Sequence, residues 1–265
     1  MQISVVTLFP ELVSAGNRCG MVRAAIEKGR LTVAGYNPRD WSADRNRRVD
    51  DRPFGGGPGM LLQPGPISGA IDAAVDEDGG TRPLVVALSP QGQRLDRHVI
   101  ADWAEREQPL VLVCGRYEGF DQRLLDSRVD VEYSLGDLVL SGGELAAMVV
   151  VDAIARRLPD VVGDAQSVVE DSFEADRLDH PHYTRPPEWE GRGVPAVLSS
   201  GDHRRIAEWR SEQALMTTAR RRPDLFLQHG PTDNERAALE RHWLAGSNDN
   251  PGQPTDTRLI TGGGK

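Results

Sequence analysis

The sequence predicts an α/β fold: a mostly parallel sheet with helices on both faces, followed by a small α-helical C-terminal domain. Three observations predict it. From Met1 to Arg157, short apolar runs alternate with stretches of helical period, the pattern of a parallel sheet covered on both sides. Three of the runs end in loops rich in Gly, Ser and Pro. Pro83–Leu88 leads into Ser89-Pro90-Gln91-Gly92, Pro109–Cys114 into Gly115-Arg116-Tyr117-Glu118-Gly119, and Ser134–Leu140 into Ser141-Gly142-Gly143-Glu144. A second composition begins near Gly201. Ligands of open α/β sheets sit beyond the carboxyl ends of the strands. The three loops therefore predict a small-molecule pocket lined mostly by backbone groups.

The elements follow in order. Met1–Leu8 reads as a buried strand and Pro10–Lys28 as a helix that Gly29 stops. Leu31–Tyr36 is a second strand. Asn37–Met60 is polar, basic and glycine-rich, without a period, and loops of that length tend to be functional or disordered. Pro66–Asp76 returns to helix. Then come strand 83–88, helix 95–107, strand 109–114, helix 120–127 and strand 129–134. Leu145–Arg157 is a strong helix, and Ser141 and Glu144 have the spacing of a capping box at its start. A helix needs neither Gly142 nor Gly143 there, which favours a ligand. Asp202 is a suitable N-cap for a helix carrying Ile206, Trp209, Gln213 and Thr217, and two further helical pieces span 223–228 and 234–244. The expected domains are 1–160, a linker at 161–200, a helical domain at 201–245 and a disordered tail at 246–265.

The chain has 265 residues, a formal net charge of −9 and an ordinary soluble composition, and no apolar run approaches the ~20 residues of a membrane helix. The N-terminus lacks a signal-like segment, so a cytoplasmic location is expected. The two cysteines, Cys19 and Cys114, are expected to be buried free thiols, and there is no zinc or haem signature. Negative charge argues weakly against a polyanionic partner. Yet Lys28 and Lys265 are the only lysines, and the arginines cluster at Arg45, Arg47 and Arg48, at Arg204 and Arg205, and at Arg220, Arg221 and Arg222. Genomic bias explains much of that excess; arginine can also pair bidentately with phosphate and stack on bases.

The loop motifs occur in order with Gly55-Gly56-Gly57-Pro58-Gly59-Met60, Gly136-Asp137, Glu170-Asp171-Ser172-Phe173, His182-Tyr183-Thr184-Arg185-Pro186 and Trp209-Arg210. In this the chain resembles the bacterial tRNA (guanine(37)-N1)-methyltransferases over residues 1 to 244. The resemblance implies a deep trefoil knot of the SPOUT class formed by the three loops, S-adenosyl-L-methionine as methyl donor, and a cytoplasmic homodimer with a shared active site. It also implies the anticodon stem-loop of tRNA as partner. Nothing in composition or periodicity shows a knot, which general topology would argue against.

The implied reaction methylates N1 of guanine, a protonated and poor nucleophile at neutral pH. It needs a base near N1 and a cationic donor near O6. Asp171 matches the family's base; otherwise it would be a helix N-cap or a solvated acid. Arg156 matches the arginine near the end of the long helix, with Pro159 setting the register against Arg157. Its other reading is a charge complementing the helix dipole. Asp179 matches an acid beside the substrate, or is a loop acid. The donor-binding positions implied are Leu88, Ser89, Gly115, Tyr117, Glu118, Leu135, Gly136, Asp137, Leu138, Val139, Leu140, Gly142 and Gly143. Glu118 would face the sulfonium or methionyl amine, or else pair with Arg116 or Arg123. Leu138 stands where the family commonly has Tyr.

The RNA-side positions implied are Gly55, Gly56, Gly57, Gly59 and Met60 near the flipped guanine; His182, Tyr183, Thr184 and Arg185 on the anticodon stem; and His203, Trp209 and Arg210 on the anticodon loop. Trp209 could equally pack in the core. Residues 161–170 have the composition of a lid, so weak order is expected there without ligand. Family members are stimulated by Mg²⁺, for which no dedicated site can be read; no other metal is expected. Three competing readings fare worse. An ordinary Rossmann methyltransferase needs a glycine-rich turn after the first strand, where Leu8-Phe9-Pro10-Glu11 stands instead. A nucleotide hydrolase needs a phosphate-binding G-x-x-x-x-G-K-[ST] loop, which is absent. A non-catalytic RNA-binding protein would not require Asp171 and Arg156 together.

Overall fold

A computed structural model describes residues 1–76, 81–163, 171–173 and 176–246. The expected lid at 161–170 lies mostly outside these residues, and the expected tail at 246–265 almost wholly so. The chain divides into two compact units, Met1–Ala165 and Gln166–Lys265.

The first unit is built on a five-stranded sheet. Its strands are β1 (Gln2–Val6), β2 (Thr32–Tyr36), β5 (Leu84–Arg94), β6 (Leu110–Cys114) and β7 (Val131–Ser134), in the order β2-β1-β6-β5-β7 with every pairing parallel. Two short strands, β3 (Asp50–Asp51) within the long basic loop and β4 (Leu61–Leu62) directly after it, pair antiparallel. β6 is central, and all five of its residues are buried, which is why its sequence is a continuous apolar run with no polar face. Helices α1 (Pro10–Gly16), α2 (Gly20–Glu27), α4 (Arg97–Glu105) and α6 (Glu144–Ala155) contribute to one core layer, with Trp103, Val150, Val151 and Ile154 in it. Helices α3 (Pro64–Asp76) and α5 (Gln122–Arg128) contribute to a second core, through Ile67, Ile71 and Leu124. Burying each such Val, Leu or Ile contributes roughly 1.5–3 kcal/mol. The mostly parallel, two-sided architecture is as the periodicity predicts.

Several local expectations need correction. Pro10–Lys28 is two helices, not one. Asn17 turns its side chain away to donate to the Val33 carbonyl at 3.0 Å, and Gly20 adopts φ +55°, so the chain leaves helical geometry between them. Gly29 does stop the second helix, at φ +66°. The strand expected at 83–88 continues to Arg94 through an irregularity between Leu88 and Gln93 that contains the first glycine-rich loop. Cys114 is buried as expected, but Cys19 is exposed.

Gly92 shows why that loop needs a glycine. A Cβ there would lie 2.5 Å from backbone atoms of Glu132 and Tyr133, so β7 runs directly against it. Backbone cannot swing aside as a side chain can. Gly92→Ala is therefore expected to cost about 3 kcal/mol or more, the upper end for over-packing. The denaturation midpoint measures this, and an unchanged midpoint would contradict it.

The second unit contains a small hairpin of β8 (Glu188–Trp189) and β9 (Arg192–Gly193), then α7 (His203–Arg221), α8 (Pro223–His229) and α9 (Asp233–Gly246). Asp202 caps α7 by accepting from Arg205 N at 3.1 Å, as its sequence position suggests. Leu215, Met216, Ala219, Phe226, Ala238 and Leu239 form this unit's core.

Candidate active site

Beyond the carboxyl ends of β6 and β7, and against the irregularity within β5, lies a cavity of about 300 Å³. The first loop brings Leu88, Ser89, Pro90 and Gln91 to it; the second brings Gly115–Phe120; the third brings Ser134–Gly136 and Leu138–Gly143. Gln122, Leu125, Glu132, Tyr133 and Ala146 complete the wall. Two of the loops are joined through their backbones. Gly143 N donates to Gly115 O at 2.9 Å, and Arg116 bridges Gly142. A Cβ on Gly143 would stand 2.8 Å from Cys114 Cα, so this approach requires glycine. Tyr117 sits at φ +58°, an uncommon conformation for a non-glycine residue, with its ring half exposed. The turn is closed by Gly119 N donating to Arg116 O at 3.0 Å.

Beneath the cavity a buried ion pair holds the loops. Glu144 is 1% exposed. Its carboxylate accepts from Thr7 Oγ1 at 3.0 Å and from Arg116 Nε at 3.1 Å. Arg116 also donates to Ser141 O at 3.1 Å and lies over the Phe9 ring at 4.4 Å. One carboxylate thus ties the end of β1, the second loop and the third loop together. The capping box is absent: Gly143 occupies the N-cap of α6 and no side chain caps it. Glu144 turns inward instead, because Arg116 and Thr7 satisfy a buried carboxylate more fully than one backbone N–H could. Burial, reinforced by the Glu144 carboxylate, pushes the Cys114 thiol well above its ordinary range. Cys114 is therefore inert packing beside the cavity.

The glycine-rich loop reaches the same wall. Gly55, Gly56, Gly57 and Gly59 all have positive φ. Glu118 N donates to Met60 O, and Leu62 N to Gly119 O, both at 3.0 Å. The Glu118 side chain fills the space a Cβ on Gly59 would need. Arg116 pairs with Glu144 and Arg123 with Asp121 at 2.7 Å, so neither arginine expected beside Glu118 is directed at it. Arg156 is exposed and forms the C-cap of α6, its N–H bonded to Asp152 O at 3.2 Å. The chain beyond it is anchored by Lys28 and Arg30, which bond the carbonyl and carboxylate of Asp160.

In the second unit, Asp171 is half-buried and Ser172 N donates to its Oδ1 at 3.2 Å. Ser172 Oγ accepts from Asp179 N at 3.1 Å, which joins the Glu170–Phe173 motif to the Asp179 segment. Leu178 N donates to Thr218 Oγ1 at 2.9 Å, fixing that segment to α7. Thr218 is fully buried; nothing in its helical spacing signals the role. Asp179 accepts from His182 Nε2 at 2.8 Å and from His180 N at 2.6 Å. Burial alone would raise its carboxyl, but these bonds and the two imidazoles outweigh it and hold the pKa below the usual range. Trp209 lies 6.3 Å from both the His180 and Tyr183 rings, so it packs against the predicted RNA-binding segment and is not in the helical core. His182, Tyr183, Thr184, Arg185, His203 and Arg210 are exposed.

Glu235 is held by Arg177 and by Thr232 N at 2.9 Å. Burial would raise its carboxyl, and these partners bring it below its ordinary value. A carboxylate with a depressed native pKa stabilises fully above its unfolded pKa of about 4.3 and loses that contribution as pH falls through the native value. Melting of this unit should therefore drop on acidification below about pH 4.5. Glu235→Gln should flatten the drop; an identical pH profile would contradict it.

Residues 1–228 match the family described as tRNA (Guanine-1)-methyltransferase TrmD. The chain belongs to this family. Proteins named tRNA (guanine-N(1)-)-methyltransferase resemble it along most of its length. That of Dechloromonas aromatica is 52% identical over 229 residues, covering 85% of this chain and 90% of the relative. That of Halorhodospira halophila is 50% identical over 240 residues, 90% of each. That of Shewanella frigidimarina is 48% identical over 239 residues, covering 90% and 96%.

Membership in this methyltransferase family makes the chain an enzyme and supplies expectations to set beside the geometry. Of the donor-binding positions the family implies, every one but Asp137 lines the single cavity described above. Gly59 and Met60 lie against its Tyr117–Gly119 wall. Asp171, Asp179 and His182 gather in the second unit, and Arg156 belongs to the first. Sequence reasoning missed Thr7, Phe9 and the inward role of Glu144. Their partners lie far along the chain, so no local spacing signals them.

Proposed function

We propose that the protein transfers a methyl group from S-adenosyl-L-methionine to N1 of guanosine 37 in tRNA. The cavity formed by three glycine-rich loops supports this most directly. It is large enough for a small molecule, and five glycines, Gly115, Gly119, Gly136, Gly142 and Gly143, line it together with Glu118 and Glu132. Backbone N–H and C=O groups suit the adenine and ribose edges; carboxylates suit the sulfonium and the amine. The donor would supply an electrophilic carbon. All other steps fall to the chain's own residues.

In this reading, the Asp171 carboxylate takes the proton from N1. The ring electron pair then forms the N1–carbon bond as the carbon–sulfur bond breaks, leaving a neutral thioether. Negative charge spreads onto O6 as the proton leaves N1 and is discharged as the new bond forms, and the Arg156 guanidinium donates to O6 while that charge is present. Asp179 holds the guanine. The anticodon stem-loop is gripped by His182–Arg185 and by His203, Trp209 and Arg210 on α7. Gly55–Met60 receives the exposed base.

A trefoil knot is part of the proposal. The tight passage of Gly92 against β7 and the bonding of Gly143 to Gly115 support it. So is a cytoplasmic homodimer with a shared active site. Leu145 and Val149, one helical turn apart on α6, are 57% and 50% exposed, and Val139 is 86% exposed. Apolar surface of this kind marks an interaction face. No described helix is long and apolar enough to cross a membrane.

The test is mass analysis of unmodified tRNA incubated with the protein and the donor. N1-methylguanosine should appear at position 37 and should vanish when that position is adenosine. RNA retention without methylated product would point instead to a binding protein.

A further inference from the structure

We propose that Asp179, His180 and His182 form a binding site for a divalent transition-metal ion of the zinc class. One ligand atom from each lies within 4.8 Å of the other two, the one such gathering of His, Cys, Asp or Glu among the described residues. His180 Nε2 stands 3.8 Å from Asp179 Oδ1, and His182 Nε2 stands 2.8 Å from Asp179 Oδ2. Ligands about 2.0–2.1 Å from a tetrahedral ion stand roughly 3.4 Å apart. Against that spacing the first contact must close and the second open, each by about half an ångström, and the two imidazole nitrogens, within 4.8 Å of each other, must close to the same distance.

The surroundings favour coordination. His180 Nδ1 lies 3.2 Å from Pro181 O. A proton held there leaves the Nε2 lone pair facing the carboxylate, the arrangement that orients metal-binding imidazoles. The two imidazole rings have centroids 4.4 Å apart and planes inclined at 42°, and a nitrogen of each lies within 4.8 Å of the other and of the carboxylate. The backbone is fixed on either side. Asp179 N is bonded to Ser172 Oγ and Leu178 N to Thr218 Oγ1. Proline between the two histidines restricts the segment further.

The ligand set decides the metal. Two imidazoles and one carboxylate suit Zn²⁺, Co²⁺ or Ni²⁺, whereas Mg²⁺ takes oxygen ligands and keeps its waters. The ion is thus of a different class from any magnesium the methyl-transfer reaction uses, and it would occupy Asp179 and His182 only while they are not engaged with the RNA. Three protein ligands leave a fourth position for water or another small ligand. Sequence reading passes over it because Asp-His-Pro-His has no familiar metal spacing.

The test uses the untagged full-length chain titrated with Co²⁺ and followed by visible absorption. One saturable ion per chain is expected, displaced by Zn²⁺ and not by Mg²⁺. His182→Ala removes an exposed side chain and should not disturb the fold, which the melting curve checks. It should weaken binding about tenfold or more, since loss of even an outer-shell partner costs that much. His180→Ala should do the same. His98→Ala and Cys19→Ser should leave the titration unchanged. Absence of saturable binding, or affinity retained in either His180→Ala or His182→Ala, overturns the three-ligand site. A pure Asp179–histidine proton bridge would give that result.

Discussion

Asp171→Ala should reduce turnover by about 10²–10⁴-fold, the range for losing a general base, while binding of S-adenosyl-L-methionine survives. The split is what distinguishes a base from a structural acid. Asp171 is not among the residues that line the cavity, so losing its carboxylate removes no part of that wall. Its side chain accepts from the adjacent Ser172 N, a local bond whose loss costs about 1 kcal/mol of stability. Single-turnover rates and equilibrium donor titration separate the two effects. Near-normal turnover would remove Asp171 from the chemistry. Arg156→Ala in the same assay should slow the chemical step by roughly 10²–10³-fold, as loss of an oxyanion donor does. An effect on tRNA affinity alone would reassign Arg156 to phosphate contact.

Glu144→Ala should be the most damaging change to the cavity itself. It removes the partner of Arg116, whose side chain is 23% exposed against 2% for Glu144. Breaking a buried pair costs about 3–5 kcal/mol, because the remaining charge stays buried without compensation. Solvent reaches part of Arg116, so the lower end, about 3 kcal/mol, is expected. Donor affinity should fall with stability, since Arg116 also holds the Ser141 carbonyl at the cavity rim. Glu144→Gln keeps the shape and an acceptor for Thr7, so it should lose less. Denaturation of the two variants checks the order. A Glu144→Ala variant within about 0.5 kcal/mol of the native chain would show that the pair carries no stability.

The difference between what could and could not be read from the sequence has a physical basis. β6 was legible because a strand buried on both faces must be apolar throughout. α6 was legible because it is apolar over a long stretch, with Ala147, Val150, Val151 and Ile154 fully buried. The three loops were legible because glycine gathers where backbones must approach, as Gly92 and Gly143 do. Glu144 was misread because its spacing from Ser141 fits a local cap, while its actual partner Thr7 lies 137 residues away. Local pattern carries no record of such a bond. The break at Asn17 was missed for a similar reason: the apolar period runs through it, and only the Val33 carbonyl on β2 shows why the helix stops. The roles of Asp171, Arg156 and Asp179 came from resemblance to a family, since a half-buried acid and an exposed helix-end arginine have ordinary uses as well.

A crystal structure of the protein with bound S-adenosyl-L-methionine tests the central claim most directly. The donor should lie in the cavity between Leu88–Ser89, Gly115–Glu118 and Leu135–Gly143, its polar edges bonded to backbone groups of those loops. A donor seated elsewhere on the chain, with that cavity open to solvent, would contradict the account.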